Sequence, residues 1–106
     1  MIINSNINGI GGMEFATFKL KQGVTEEKLI TLSHLVETEF LTQQDELIIH
    51  MLLRGADGNY ADVVFASSQQ KAEEYCQQWL HNAAALSYLD VIEHGSAQLT
   101  FWTRIH

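Results

Sequence analysis

The chain lacks a second cysteine: Cys76 stands alone among 106 residues, so no internal disulfide can form. Its neighbours are apolar helix positions with nothing basic among them, which points to a buried structural thiol rather than a reactive one. Positive charge is scarce as well. Thirteen acids face six Lys and Arg, giving a formal charge of −7, and the six bases (Lys19, Lys21, Lys28, Arg54, Lys71, Arg104) are scattered. A phosphate backbone needs concentrated positive charge, so no nucleic-acid partner is expected. Long apolar runs are missing too. The stretch Leu47 to Leu53 contains His50 and falls far short of the ~20 residues that cross a bilayer, so no membrane segment is expected. The opening Met1-Ile2-Ile3-Asn4-Ser5-Asn6 has no basic head and no continuous apolar stretch, which leaves a cytoplasmic location as the expectation.

What is present suits one folded domain, with 46% apolar and 18% charged residues. Residues 1–12 are uncharged, rich in Asn and Gly, and read as a flexible N-terminal arm; the domain proper spans 13–106. From Met13 to Leu20 the residues alternate, placing Ala16, Phe18 and Leu20 on one face of a strand. Thr25 is a good N-cap, Glu26 and Glu27 suit the positive end of a helix dipole, and Leu29, Leu32, Val36 and Phe40 recur at helical spacing. Glu46 to Arg54 is apolar on both faces, and Gly55-Ala56-Asp57-Gly58 holds the Asp-Gly signal of a hairpin returning through Tyr60 to Phe65. Ser67-x-x-Gln70 reads as a capping box for a helix with the stripe Ala72, Tyr75, Cys76, Trp79, Leu80. A second helical piece, capped by Asn82, runs toward Gly95, and Gln98 to Arg104 alternates as a last strand.

The order β-α-β-β-α-β, with the second helix split, predicts an α+β ferredoxin-like fold with an antiparallel sheet. Two helices cover one face of such a sheet. On the other, Phe15, Ile48, Leu52, Tyr60, Val64 and Trp102 are expected to form an apolar patch too large for a monomer, which a second copy of the sheet would cover.

Residues Met13 to about Arg104 resemble the dimeric α+β barrel superfamily, in which two ferredoxin-like subunits pack sheet to sheet. The likeness rests on Glu14-Phe15-Ala16-Thr17-Phe18-Lys19-Leu20-Lys21-Gln22-Gly23-Val24, similar to the "FKLKxGV" start of a bacterial group there. Asp57-Gly58-Asn59-Tyr60-Ala61-Asp62-Val63-Val64 resembles that group's hairpin, and the Ser-rich cap before the second helix matches too. The group carries no firmly assigned reaction, and fold analogy transfers none. The superfamily also holds antibiotic-biosynthesis-type monooxygenases and haem-degrading enzymes. The latter carry a Trp ending the third strand, a His on the following helix and an Asn on the first strand. Here those positions fall at Phe65, near Tyr75 and nowhere within Met13 to Leu20, so haem degradation is disfavoured. Cofactor-independent oxygenation of an aromatic substrate stays open, and no cofactor is expected.

If Ala16/Phe18/Leu20, Leu47/Ile49/Met51/Leu53, Ala61/Val63/Phe65 and Leu99/Phe101 face the helices, the opposite face gathers Thr17, Lys19, His50, Arg54, Tyr60, Asp62, Thr100, Trp102 and Arg104. An aromatic-lined cavity with a few convergent polar groups is the usual form of a small-molecule site. There His50 is the candidate general base, Asp62 orients it or holds it charged, Tyr60 and Trp102 stack an aromatic ligand, and Arg54 stabilises an enolate or carboxylate. Against this stands a ligand-free dimer interface built from the same residues, with Arg54 paired to Asp62 and Trp102 filling the barrel. Metal binding finds little support: His34-x-x-Glu37 supplies two ligands only, and Glu37, like Glu39, Glu73 and Glu74, reads as a solvated helix face. No phosphate loop is present, because Gly9-x-Gly11-Gly12 precedes a strand.

Overall fold

The computed structural model describes residues 1–4 and 6–106. Among these described residues, five strands form one antiparallel sheet: β1 (Ile2–Ile3), β2 (Gly12–Lys19), β3 (Leu47–Arg54), β4 (Asn59–Ala66) and β5 (Gln98–Thr103), in the order β1-β3-β4-β2-β5. Three α-helices are found among the described residues: α1 (Glu26–Glu39), α2 (Gln69–Gln77) and α3 (Ala83–Asp90), the last two joined by a 3₁₀ turn at Gln78–His81. This is the expected ferredoxin-like arrangement with a split second helix, plus one added edge strand. The first twelve residues differ from the arm expected of them. Ile2 and Ile3 pair with His50 and Ile49, and Asn4 donates its backbone N–H to the Ile48 carbonyl; Ser5 of that arm lies outside the described residues.

Local chemistry accounts for the boundaries. Thr25 Oγ1 accepts from the Lys28 amide, and Asn82 Oδ1 from the Ala85 amide, satisfying first-turn donors that have no intrahelical partner. For α2 the cap is Ser68, accepting from the Lys71 amide, rather than Ser67. The Ser67 amide is instead tied to the Glu46 carbonyl, which holds it in the turn. Asp57 (φ 56°) and Gly58 (φ 77°) turn the hairpin, closed by the Asn59 amide on the Ala56 carbonyl. Two consecutive left-handed residues match the strands' twist, as Asp-Gly hairpins require. At Gly12 a Cβ would lie 2.1 Å from the Gln69 amide nitrogen, so β2 can pass under the start of α2 only without a side chain.

The core lies between sheet and helices, around Phe18, Leu29, Val36, Phe40, Leu41, Leu47, Val64, Tyr75, Trp79 and Tyr88. The far face carries Met13 and Phe15 of β2, Ile49, Met51 and Leu53 of β3, Val63 and Phe65 of β4 and Trp102 of β5, which is 56% exposed.

On β3 and β4 this reverses the expected faces. A register irregularity between Leu47 and Ile49 shifts the alternation, so that His50, Leu52 and Arg54 turn toward the helices while Ile49, Met51 and Leu53 turn away. Hairpin pairing carries the shift into β4, where Tyr60, Asp62 and Val64 share the helix-facing side. Leu52, Tyr60 and Val64 therefore leave the expected outer patch, Ile48 is the buried extra residue of the irregularity and lies beside Gly9, and Phe15 and Trp102 stay in the patch.

Candidate functional site

The helix-facing side of the sheet holds a chain of buried polar groups. His50 is fully buried; its Nδ1 lies 2.7 Å from Glu37 Oε2 and its Nε2 lies 2.9 Å from Asp62 Oδ2. The Tyr88 hydroxyl donates to the same Asp62 oxygen at 2.8 Å, and Glu37 also accepts from the Met1 amino group. Burial alone would push the His50 pKa down, but the Asp62 charge, the bonds to both carboxylates and the Glu37 charge outweigh it, raising the pKa to about 9. Glu37 shows the same contest: burial raises its pKa, the bond to His50 lowers it, and the net shift is downward. His50 is thus an imidazolium at neutral pH with both N–H groups donated. Charged and fully enclosed, it has no lone pair to offer a substrate, and among the roles expected for Asp62 the geometry fits holding the ring charged.

Beside this chain sits Glu14, 5% exposed, with its pKa raised to about 8 by burial and by the Asp62 charge, against a smaller lowering from His50. It is therefore a neutral carboxyl at pH 7. Its Oε2 and Asp62 Oδ1 are buried without a hydrogen-bond partner among the described residues, as are the Trp79 indole N–H and the Tyr75 hydroxyl. Both acids line a cavity of about 300 Å³ between the sheet and the helix layer. Its other walls are Ala16, Phe18 and Leu99 of the sheet, Cys76, Trp79 and Leu80 of the second helical stretch, Tyr88 and Leu89 of α3, and Ile92 and Ala97 beyond it. Among the described residues, no Lys, Arg or His lines it. Burial and the nearby Glu14 and Asp62 charges lift the Cys76 thiol to about 12, so it remains protonated, a half-buried wall residue as its sequence context suggests.

The five residues singled out from the sequence thus divide. His50 and Asp62 are in direct contact, but on the helix side of the sheet. Arg54 and Tyr60 sit at the hairpin end, where Arg54 Nε and Nη2 reach the two Glu26 carboxylate oxygens at 2.7 and 3.0 Å and the Tyr60 hydroxyl donates to Oε1 at 3.1 Å. Trp102 lies on the opposite face of the sheet, its indole N–H donating to Thr100 Oγ1. None of these three lines the cavity, and Arg54 is paired with Glu26 rather than Asp62. The sequence reading missed Glu14, Glu37 and Tyr88. Glu14 was within reach: period two puts it on the face of Ala16 and Phe18. Glu37 reads in the sequence as a solvated charge, yet it is 3% exposed, one position from the stripe residue Val36 and one turn beyond the buried Ser33.

No family model and no curated protein sequence matches the chain. Solved structures do. The cofactor-independent oxygenase SnoaB of Streptomyces nogalater superposes with a TM-score of 0.70 at 12% identity, over 92% of this chain and 95% of that one. A monooxygenase from the gene ActVA-Orf6 of Streptomyces coelicolor, in complex with nanaomycin D, gives 0.69 at 18% identity, over 93% and 91%. A dimeric ferredoxin-like protein from Thermobifida fusca gives 0.67 at 15%, over 98% and 100%. The chain has their fold. The resemblance drawn from the β2 and hairpin motifs therefore agrees with the three-dimensional likeness, which at these identities concerns fold alone.

Proposed function

We propose that this protein binds a small, largely apolar or aromatic molecule in the cavity between its sheet and its helices. The supporting observation is a pair of buried carboxyl oxygens without a hydrogen-bond partner among the described residues, Glu14 Oε2 and Asp62 Oδ1, on two residues that line an otherwise apolar chamber. Buried polar atoms without partners destabilise a fold by roughly 1–3 kcal/mol each, and a ligand that meets them removes that penalty. The volume lies at the small end of ligand pockets. In this reading His50 is a positioning residue: it consumes Asp62 Oδ2 and leaves Oδ1 free. The test is calorimetric titration with small aromatic probes against the wild type and Ala97→Phe, which fills one wall. Binding lost in the variant, with its fold intact, supports the site; binding unchanged would place the ligand elsewhere.

A homodimer through the outer sheet face belongs to the same proposal, because Phe15, Met51 and Phe65, all partly exposed, share that face with the 56%-exposed Trp102 and the Thermobifida fusca neighbour is described as dimeric. Sedimentation of the purified protein decides it.

The oxygenase neighbours favour a second reading, cofactor-independent monooxygenation in the same cavity. Oxygen uptake that depends on an added hydroxyaromatic substrate and disappears in Ala97→Phe supports it; binding without oxygen uptake leaves a binding protein.

A further inference from the structure

We infer that the cavity selects its ligand by charge, taking a small lipophilic amine whose ammonium group lies between Glu14 and Asp62. This rests on the proposed ligand site and adds the chemical class that site would hold. Glu14 and Asp62 are each at least 95% buried, each has an oxygen with no hydrogen-bond partner among the described residues, and both residues line the cavity from the sheet floor. No cationic side chain is among the lining residues, so a carboxylate or phosphate ligand would meet the Asp62 carboxylate there without a cation in the walls to pair with. An ammonium group meets the opposite situation. It donates to both free oxygens, charge-assisted, and Phe18, Trp79 and Tyr88 supply aromatic surface in the same walls, which suits a cation.

The arrangement also keeps its charge balanced. At neutral pH Glu14 holds a proton, because ionising it beside Asp62 in an apolar chamber is unfavourable. A bound ammonium ion reverses that preference; Glu14 gives up its proton to solvent, and the chamber's net charge is the same before and after. The other titratable groups around it stay as they are. His50 remains an imidazolium on Asp62 and Glu37, while the Tyr75 and Tyr88 hydroxyls and the Cys76 thiol are all shifted upward and remain protonated. A neutral alcohol would use the same two oxygens as a simple hydrogen-bond partner, and Glu14 would keep its proton.

The test compares three probes of one skeleton, 2-phenylethylamine, 2-phenylethanol and phenylacetate, by calorimetric titration at pH 7 in buffers of different ionisation enthalpy. The amine is expected to bind about tenfold more tightly than the alcohol and to release about one proton, with phenylacetate not binding. Glu14→Gln, which keeps the shape of the site, should abolish the proton release and remove most of the amine's advantage while changing alcohol affinity less than about threefold. Alcohol binding equal to that of the amine, or amine binding with no proton release, overturns the amine assignment and leaves the cavity reading standing. Failure of all three probes to bind overturns both.

Discussion

The His50 ring and the Asp62 carboxylate meet at 2.9 Å in the interior, with Glu37 closing the other side of the ring at 2.7 Å. An imidazolium held between two carboxylates ties stability to pH. The folded-state pKa of about 9 lies above the ordinary 6.5, so the folded chain holds this proton more tightly than the unfolded one. The contribution is complete below pH 6.5 and is lost as pH rises through about 9; over that window it amounts to roughly 3 kcal/mol. Urea denaturation between pH 6 and pH 10 should therefore show stability falling across this range. A flat profile would contradict a charged His50.

Glu14 adds a second slope of the same sign. Its raised pKa of about 8 means the folded state favours the protonated carboxyl, so stability declines as pH rises from the ordinary 4.5 toward 8. In Glu14→Gln that decline is expected to vanish. The variant should gain stability relative to the wild type at pH 8 and differ little from it near pH 4.5, as read from denaturation midpoints at the two values.

Removing the ring is a different matter from deprotonating it. His50→Leu leaves Glu37 and Asp62 buried without their shared cation, a change that typically costs about 3–5 kcal/mol. Thermal unfolding should show a large drop in Tm. If His50→Leu melts like the wild type, the ring is not the partner that holds the two acids in the interior.

Gly12→Ala tests the contact between β2 and α2. The added Cβ would fall on the backbone at Ser68 and Gln69, within 2.5 Å, where neither chain can give way without breaking the pairing or the cap. A loss of a few kcal/mol is expected in chemical denaturation. Gly23→Ala would meet no atom but must hold φ at +87°, so its smaller loss is conformational.

Trp102→Ala should weaken self-association without unfolding the subunit, because the side chain is half exposed in the monomer and contacts the core of no element. Sedimentation at low micromolar concentration reads the shift from dimer to monomer. A variant as dimeric as the wild type would move the interface away from the outer sheet face.

Element order, the split helix and the hairpin were legible because each rests on local chemistry: Thr25 and Asn82 as caps, Asp57-Gly58 as a turn, and the Leu29/Leu32/Val36 stripe. The direction in which β3 faces was not. Leu47 to Leu53 is apolar on both sides, so alternation could not say which side met the helices, and the irregularity between Leu47 and Ile49 inverted the assignment. His50 and Asp62 were rightly placed on one face, since hairpin register relates them to each other; which face they share depends on a shift that leaves no composition signal. Glu14 and Glu37 were hidden by a sound prior, that acids on helices and strands are solvated. Only the three-dimensional meeting of Glu37 with His50, 13 residues apart, shows why this one is not.

The polar chain Tyr88–Asp62–His50–Glu37 draws on α3, β4, β3 and α1, and each member satisfies its neighbour. Such a set resists piecemeal replacement, because any single change strands a charge or a donor in the interior, whereas a simultaneous exchange for well-fitting apolar side chains can be nearly neutral. The route by which these four positions drift over generations is thus gated: they are inherited together or relinquished together, and combinations of substitutions there should depart sharply from the sum of their separate effects.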